Sequence, residues 1–100
     1  MEIYRQGDVL LVPCQETKPK TKPVAKKNVV LALGEVTGHH HTLTGEVALF
    51  ELKDGRRMAW VEAPAKLTHQ EHATINVAPG MYWVIRQREY SPEAIRQVAD

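Results

Sequence analysis

The sequence predicts a small all-β domain, a β-barrel or sandwich carrying one short C-terminal helix. Two observations lead there. Apolar and β-branched residues come in short runs rather than at helical spacing. The six glycines and six prolines of this 100-residue chain fall mostly between those runs, where they punctuate strands. The length fits a single domain spanning residues 1–100, and no repeat or linker divides it. Folding at this size buries roughly two-thirds of the surface an unfolded chain exposes.

Residues 8–12 (DVLLV) read as a first strand, entered through Gly7 and stopped by Pro13. Residues 16–28 hold Lys18, Lys20, Lys22, Lys26 and Lys27 around Pro19 and Pro23. Proline fixes φ and donates nothing to a ladder, so this stretch reads as an extended loop. The sheet restarts at residues 29–33 (VVLAL). Residues 46–52 (EVALFEL) alternate in part, with Val47, Leu49 and Glu51 facing away from Ala48, Phe50 and Leu52. Residues 57–62 (RMAWVE) form the return strand, and Asp54-Gly55 between them predicts a type I′ turn with positive φ at both central positions.

Pro64 ends that strand. A bend carrying His69 and His72 leads into a strand at residues 73–77, and Ala78, Pro79 and Gly80 make a turn. The last strand, residues 81–88, is rich in aromatic and β-branched residues. Tyr82 and Trp83 are adjacent and therefore face opposite sides, one toward the core. Residues 91–99 read as a short helix, with Ser91 as cap, Pro92 in the first turn, and Ile95 and Val98 facing the sheet. Arg88, Glu89 and Tyr90 fall at the strand-to-helix junction and read as a hydrogen-bonded lock. The count is six or seven strands.

Composition narrows function. A net charge of +1 excludes a globally basic nucleic-acid binder. No apolar run reaches the roughly 18–20 residues of a membrane helix. The opening residues MEIYRQGDVLLVP lack a basic region followed by an apolar one, so the expectation is a cytoplasmic protein. The single Cys14 cannot form an internal disulfide, and its neighbours Pro13, Gln15 and Glu16 give no reason for a reactive thiolate.

The chemistry concentrates in GEVTGHHHTLTGE, residues 34–46. On a strand His39 and His41 share one face and His40 takes the other, so the i, i+2 pair can converge on one ion. His69 and His72, three apart, can both face inward from a turn. If the fold joins the two segments, His39, His41, His69 and His72 form an imidazole set suited to zinc, iron or nickel rather than calcium or magnesium. With one cysteine, a closed structural zinc site is disfavoured, and an open position for water or substrate is expected. Glu35 and Glu46, with His40, are candidates to orient the ligands from outside, and Glu71 is a candidate base on a metal-bound water. Whether catalysis accompanies binding is left open. The competing reading is a set of histidines decorating solvated turns.

The lysine-rich loop offers a second class of function, a non-enzymatic module that binds a protein or nucleic acid through Lys18, Lys20 and Lys22. It lacks interleaved aromatics for base stacking, which favours a solvated loop. A bulky last strand is compatible with a homodimer.

RQGDVLLV (5–12), GEVTGHHH (34–41), LTHQEH (67–72) and RQREY with the following SPE (86–93) span most of the chain. In them the sequence resembles a group of small, largely uncharacterised bacterial and phage-borne proteins. That resemblance implies a pattern in which the position of His40 varies, leaving His39 and His41 as the working pair. Gly34, His39, His41 and Glu46 also resemble the first motif of the cupins, small β-barrels that bind iron, manganese, zinc or nickel. Cupins carry a further histidine after a Pro-x-Gly turn, whereas here APGMYWV has none.

Overall fold

Gly7 and Asp8 form the two-residue turn of a hairpin that joins β1 (Tyr4–Gln6) to β2 (Val9–Pro13). Gly7 adopts φ +60° at the first central position, as the type II′ hairpin turn favours. The computed structural model describes residues 2–33 and 38–87. The remaining strands are β3 (Ala25–Lys26), β4 (Val29–Leu33), β5 (His40–Thr44), β6 (Val47–Glu51), β7 (Arg57–Val61), β8 (Ala65–Thr68), β9 (Ile75–Val77) and β10 (Gly80–Arg86). All pair antiparallel, in one sheet ordered β1-β2-β10-β7-β6-β3 and another ordered β4-β5-β8-β9.

The predicted all-β class holds, and its form is a sandwich rather than a closed barrel. One core joins both sheets: Val9, Leu11, Leu49, Ala59, Val61 and Val84 from the first meet Val29, Leu31, Leu43, Leu67 and Val77 from the second. Leu11, Leu43 and Leu67 have lost all or nearly all solvent contact. Each such side chain contributes about 1.5–3 kcal/mol by leaving water. The expected helix at residues 91–99 and the Arg88–Glu89–Tyr90 lock lie outside the described residues.

Several details depart from expectation. The described residues contain ten strands; β1, β3 and β8 are additional to those expected. The hairpin between β6 and β7 is not a type I′ turn. Gly55 alone has positive φ (92°), Gly55 N–H donates to Leu52 O, and Leu52 N–H donates to Arg56 O. This is the three-residue loop with glycine in the left-handed position. Asp54 settles it by accepting from both Arg56 N and Arg56 Nε. In β6 both faces are buried, since Phe50 pairs across to Met58, and Met58 to Trp83, on the outer face. A bulge between Val30 and Ala32 shifts β4, so that Leu31 and Ala32 are buried in succession.

The lysine-rich loop crosses the outer face of the larger sheet. Cys14 N–H donates to Met81 O on β10, the Lys18 ammonium sits 5.6 Å over the Trp60 ring on β7, and Val24 N–H donates to Leu49 O on β6. On the other flank, Tyr4 and Tyr82 pack 5.8 Å apart and both bond the backbone of Ala78. Tyr82 turns inward and is buried while Trp83 is half-buried on the outer side, as alternation requires.

A histidine centre at the seam of the two sheets

The pairing of β5 with β8 builds the centre. Its register matches Leu43 with Leu67 and Thr42 with Thr68. One residue further along, the same register brings His41 across from His69, and their ring centroids stand 4.4 Å apart. The bend after β8 then returns His72 to within 4.6 Å of His69 and 6.0 Å of His41. His39 flanks this triangle, 5.5 Å from His69. All four expected ligands therefore meet, although they come from segments about thirty residues apart.

His41 is the interior member, 2% exposed. Its Nδ1 lies 2.9 Å from Gln6 Oε1, and its Nε2 lies 3.6 Å from Asp8 Oδ1. Burial, reinforced by the neighbouring charge of His69 and only partly offset by Asp8, lowers its pKa from 6.5 to about 4. His69 is lowered as well, first by burial and then by His72 and His39. His41 is thus an uncharged ring at neutral pH. Asp8 is held below its ordinary 3.8: burial alone would raise it, but the Arg86 hydrogen bond at 3.1 Å and the Arg86 charge outweigh that.

His40 faces away from the centre, as alternation predicts. Its Nδ1 bonds Thr42 Oγ1 at 2.7 Å. The Gln70 amide spans to the same residue, with Oε1 accepting from His40 N–H at 2.8 Å and Nε2 lying 3.2 Å from His40 Nε2. His40 and Gln70 together fasten the bend that carries His69 and His72 to the start of β5. Glu71 is exposed, with Oε2 3.9 Å from His39 Nδ1 at the rim. Glu46 is not brought to the centre. It follows the far end of β5, paired at 3.8 Å with Lys27, and the three strand residues Thr42–Thr44, at about 3.3 Å each, together with Gly45 separate it from His41. Glu35 lies outside the described residues. Lys20 and Lys22 are exposed, and Lys18 is engaged by Trp60.

Gln6, Gly7, Asp8, Gln70 and Arg86 belong to the centre and were not singled out as site residues from the sequence. Gly7 lies against the rings: a Cβ there would stand 2.9 Å from His72 Nε2 and 3.2 Å from His41 Cε1. The rings pack against one another, His41 and His72 at an interplanar angle of 17°. His69 Nδ1 accepts from Glu71 N–H at 3.0 Å, so in this arrangement its Nδ1 lone pair is engaged. Among the described residues, no three His, Cys, Asp or Glu side chains form a ready-made metal cage.

The fold and centre define a class: a two-sheet antiparallel β-sandwich with an imidazole cluster at one seam. The chain belongs to the DUF8820 family, a domain of unknown function whose family model matches residues 5–87. That span includes every residue of the cluster. No curated protein and no solved structure gives a significant match.

Proposed function

We propose that this chain is a small metal-binding β-protein whose centre takes one zinc, iron or nickel ion on His41, His69 and His72, with His39 at its edge. The observation that carries the reading is the ring triangle with an uncharged, buried member. An imidazole centroid lies about 3 Å from a metal held at about 2.0–2.1 Å by its nitrogen, so two rings at a tetrahedral angle have centroids about 5 Å apart. The separations of 4.4, 4.6 and 6.0 Å bracket that value. Metal binding also needs neutral imidazoles, and the lowered pKa values of His41 and His69 supply them at neutral pH.

Closing the cage requires His69 and His72 to turn their rings from packing to coordination. Both sit on the bend at residues 69–72, where His72 is exposed, so the motion disturbs no core packing. Asp8 is the carboxylate beside the buried ring and supplies a fourth ligand or a base; Glu71, at the rim, is the alternative base. With Asp8 acting as the base, three imidazoles leave the fourth tetrahedral position to water or substrate, which is the arrangement catalytic sites keep.

Tag-free protein, stripped with chelator and titrated with Zn²⁺, Ni²⁺ and Co²⁺ by calorimetry, tests the reading. One ion per chain is expected, with binding lost in the His69→Ala/His72→Ala double variant, whose changes lie outside the core. No saturable binding by the wild type, or equal binding by the double variant, overturns it.

A further inference from the structure

We propose that Gln6 is a positioning residue that fixes which nitrogen of His41 faces the centre and holds both ends of the bend bearing the other ligands. The proposal deepens the metal-binding reading and rests on it for the role of the centre, though not for the tautomer.

A primary amide has two N–H donors on its nitrogen and an acceptor oxygen. Gln6 is 2% exposed, so every one of these groups needs a partner inside the protein. Its Nε2 donates to Leu67 O at 3.0 Å and to Ala73 O at 2.9 Å. Carbonyl oxygens only accept, so both N–H groups are used. Reversing the amide would set Oε1 against two carbonyl oxygens, which fixes the orientation. Oε1 therefore faces His41 Nδ1 at 2.9 Å. Because Oε1 is also only an acceptor, Nδ1 must carry the hydrogen. In the neutral ring the lone pair is then on Nε2, the nitrogen on the Asp8 side.

The two donor contacts have a further consequence. Leu67 and Ala73 flank the segment that contains His69 and His72. One side chain from β1 thus orients the buried ligand and spans the ends of the loop that presents the other two. No neighbour on β1 duplicates it: Arg5 is exposed and bonds Gly7 O, and Tyr4 reaches Ala78.

The test uses metal-free protein labelled with ¹⁵N in histidine, with the His41 ring assigned by its loss in a His41→Gln variant. At pH 7.5 wild-type His41 is expected as the Nδ1–H tautomer. In Gln6→Met the preference is lost and Zn²⁺ binds 10–100-fold more weakly, the range typical for residues that orient metal ligands. Gln6→Glu, which keeps an acceptor beside Nδ1 and loses the amide donors, is the second variant should Gln6→Met not fold; Nδ1 keeps its hydrogen in it, and a bare Nδ1 there overturns the proposal. An Nε2–H tautomer in the wild type overturns the proposal whether or not metal binds. So does a folded Gln6→Met with wild-type tautomer and affinity. A wild type that shows the Nδ1–H form but takes up no Zn²⁺ overturns the metal reading and leaves the positioning of His41 standing.

Discussion

Acidification should destabilise this protein well above the pH at which its carboxylates titrate. His41 stays uncharged in the folded state down to about pH 4, because burial and then the charge of His69 oppose the imidazolium. In the unfolded chain the same ring takes its proton near pH 6.5. Below 6.5 the unfolded state therefore binds one more proton than the folded state, and stability falls as pH drops. The slope is about 1.4 kcal/mol per pH unit, and the loss levels off once the folded ring also protonates. Between pH 7.5 and 5.0 this amounts to about 2 kcal/mol, with a ceiling of about 3 kcal/mol at still lower pH. Against a typical total of about 5–15 kcal/mol, that is a large fraction.

Urea unfolding at pH 7.5 and 5.0, followed by tryptophan fluorescence with chelator present, measures it. The chelator matters because bound metal would add its own pH dependence. The lowered pKa of His69 acts in the same direction, whereas Asp8, lowered below 3.8, acts only below that range. His41→Gln should lower stability at both pH values and remove most of the difference between them. Equal wild-type stability at the two values, or a His41→Gln protein that keeps the whole drop, would refute the argument.

Further perturbations probe the surroundings of the same seam. Gly7→Ala should cost about 1–2 kcal/mol in urea unfolding, since φ +60° is strained for a residue with a Cβ, and the new methyl should displace the His72 ring, seen as shifts in its NMR signals. Leu67→Ala, deep in the shared core, should cost about 2–5 kcal/mol by the same measurement. Arg86→Met should raise the Asp8 pKa, measured by carboxyl ¹³C titration, because burial then acts without its opposing charge; an unchanged value would mean that the contact with Arg86 has no electrostatic consequence.

The sequence was most legible where patterning is local. Residues 29–33 were predicted as a strand and form β4 with the same limits, since five apolar residues ended by Gly34 leave little choice. The hairpin at Asp54-Gly55 was found and its turn type was not, because Asp54 uses its side chain to bond Arg56 instead of adopting positive φ. β8 has little signature in the sequence, because only Ala65 and Leu67 face its core side. β1 carried a usable signal: Gly-Asp after Tyr4, Arg5 and Gln6 is itself a hairpin turn. The histidine spacing was legible as two pairs. Their meeting was not, since it depends on the register of β5 against β8, a contact between residues 26 apart.

One feature of the core fits the metal-binding role proposed for this seam. Among the described residues, the buried polar or charged ones are Gln6 and His41, and they bond each other. The rest of the buried set is hydrophobic. A sandwich needing only cohesion would fill these two positions with Leu or Met, avoiding the desolvation of an amide and an imidazole. It would also avoid the acid sensitivity, because an apolar residue at position 41 has no proton to gain on unfolding. The protein instead holds His41 in its less basic form, satisfies Nδ1 with an amide whose donors are already used, and surrounds the other edge of the ring with two histidines and an arginine-bound carboxylate. Stability in acid is given up to keep one imidazole neutral and oriented, an arrangement that suits the proposed metal-binding role.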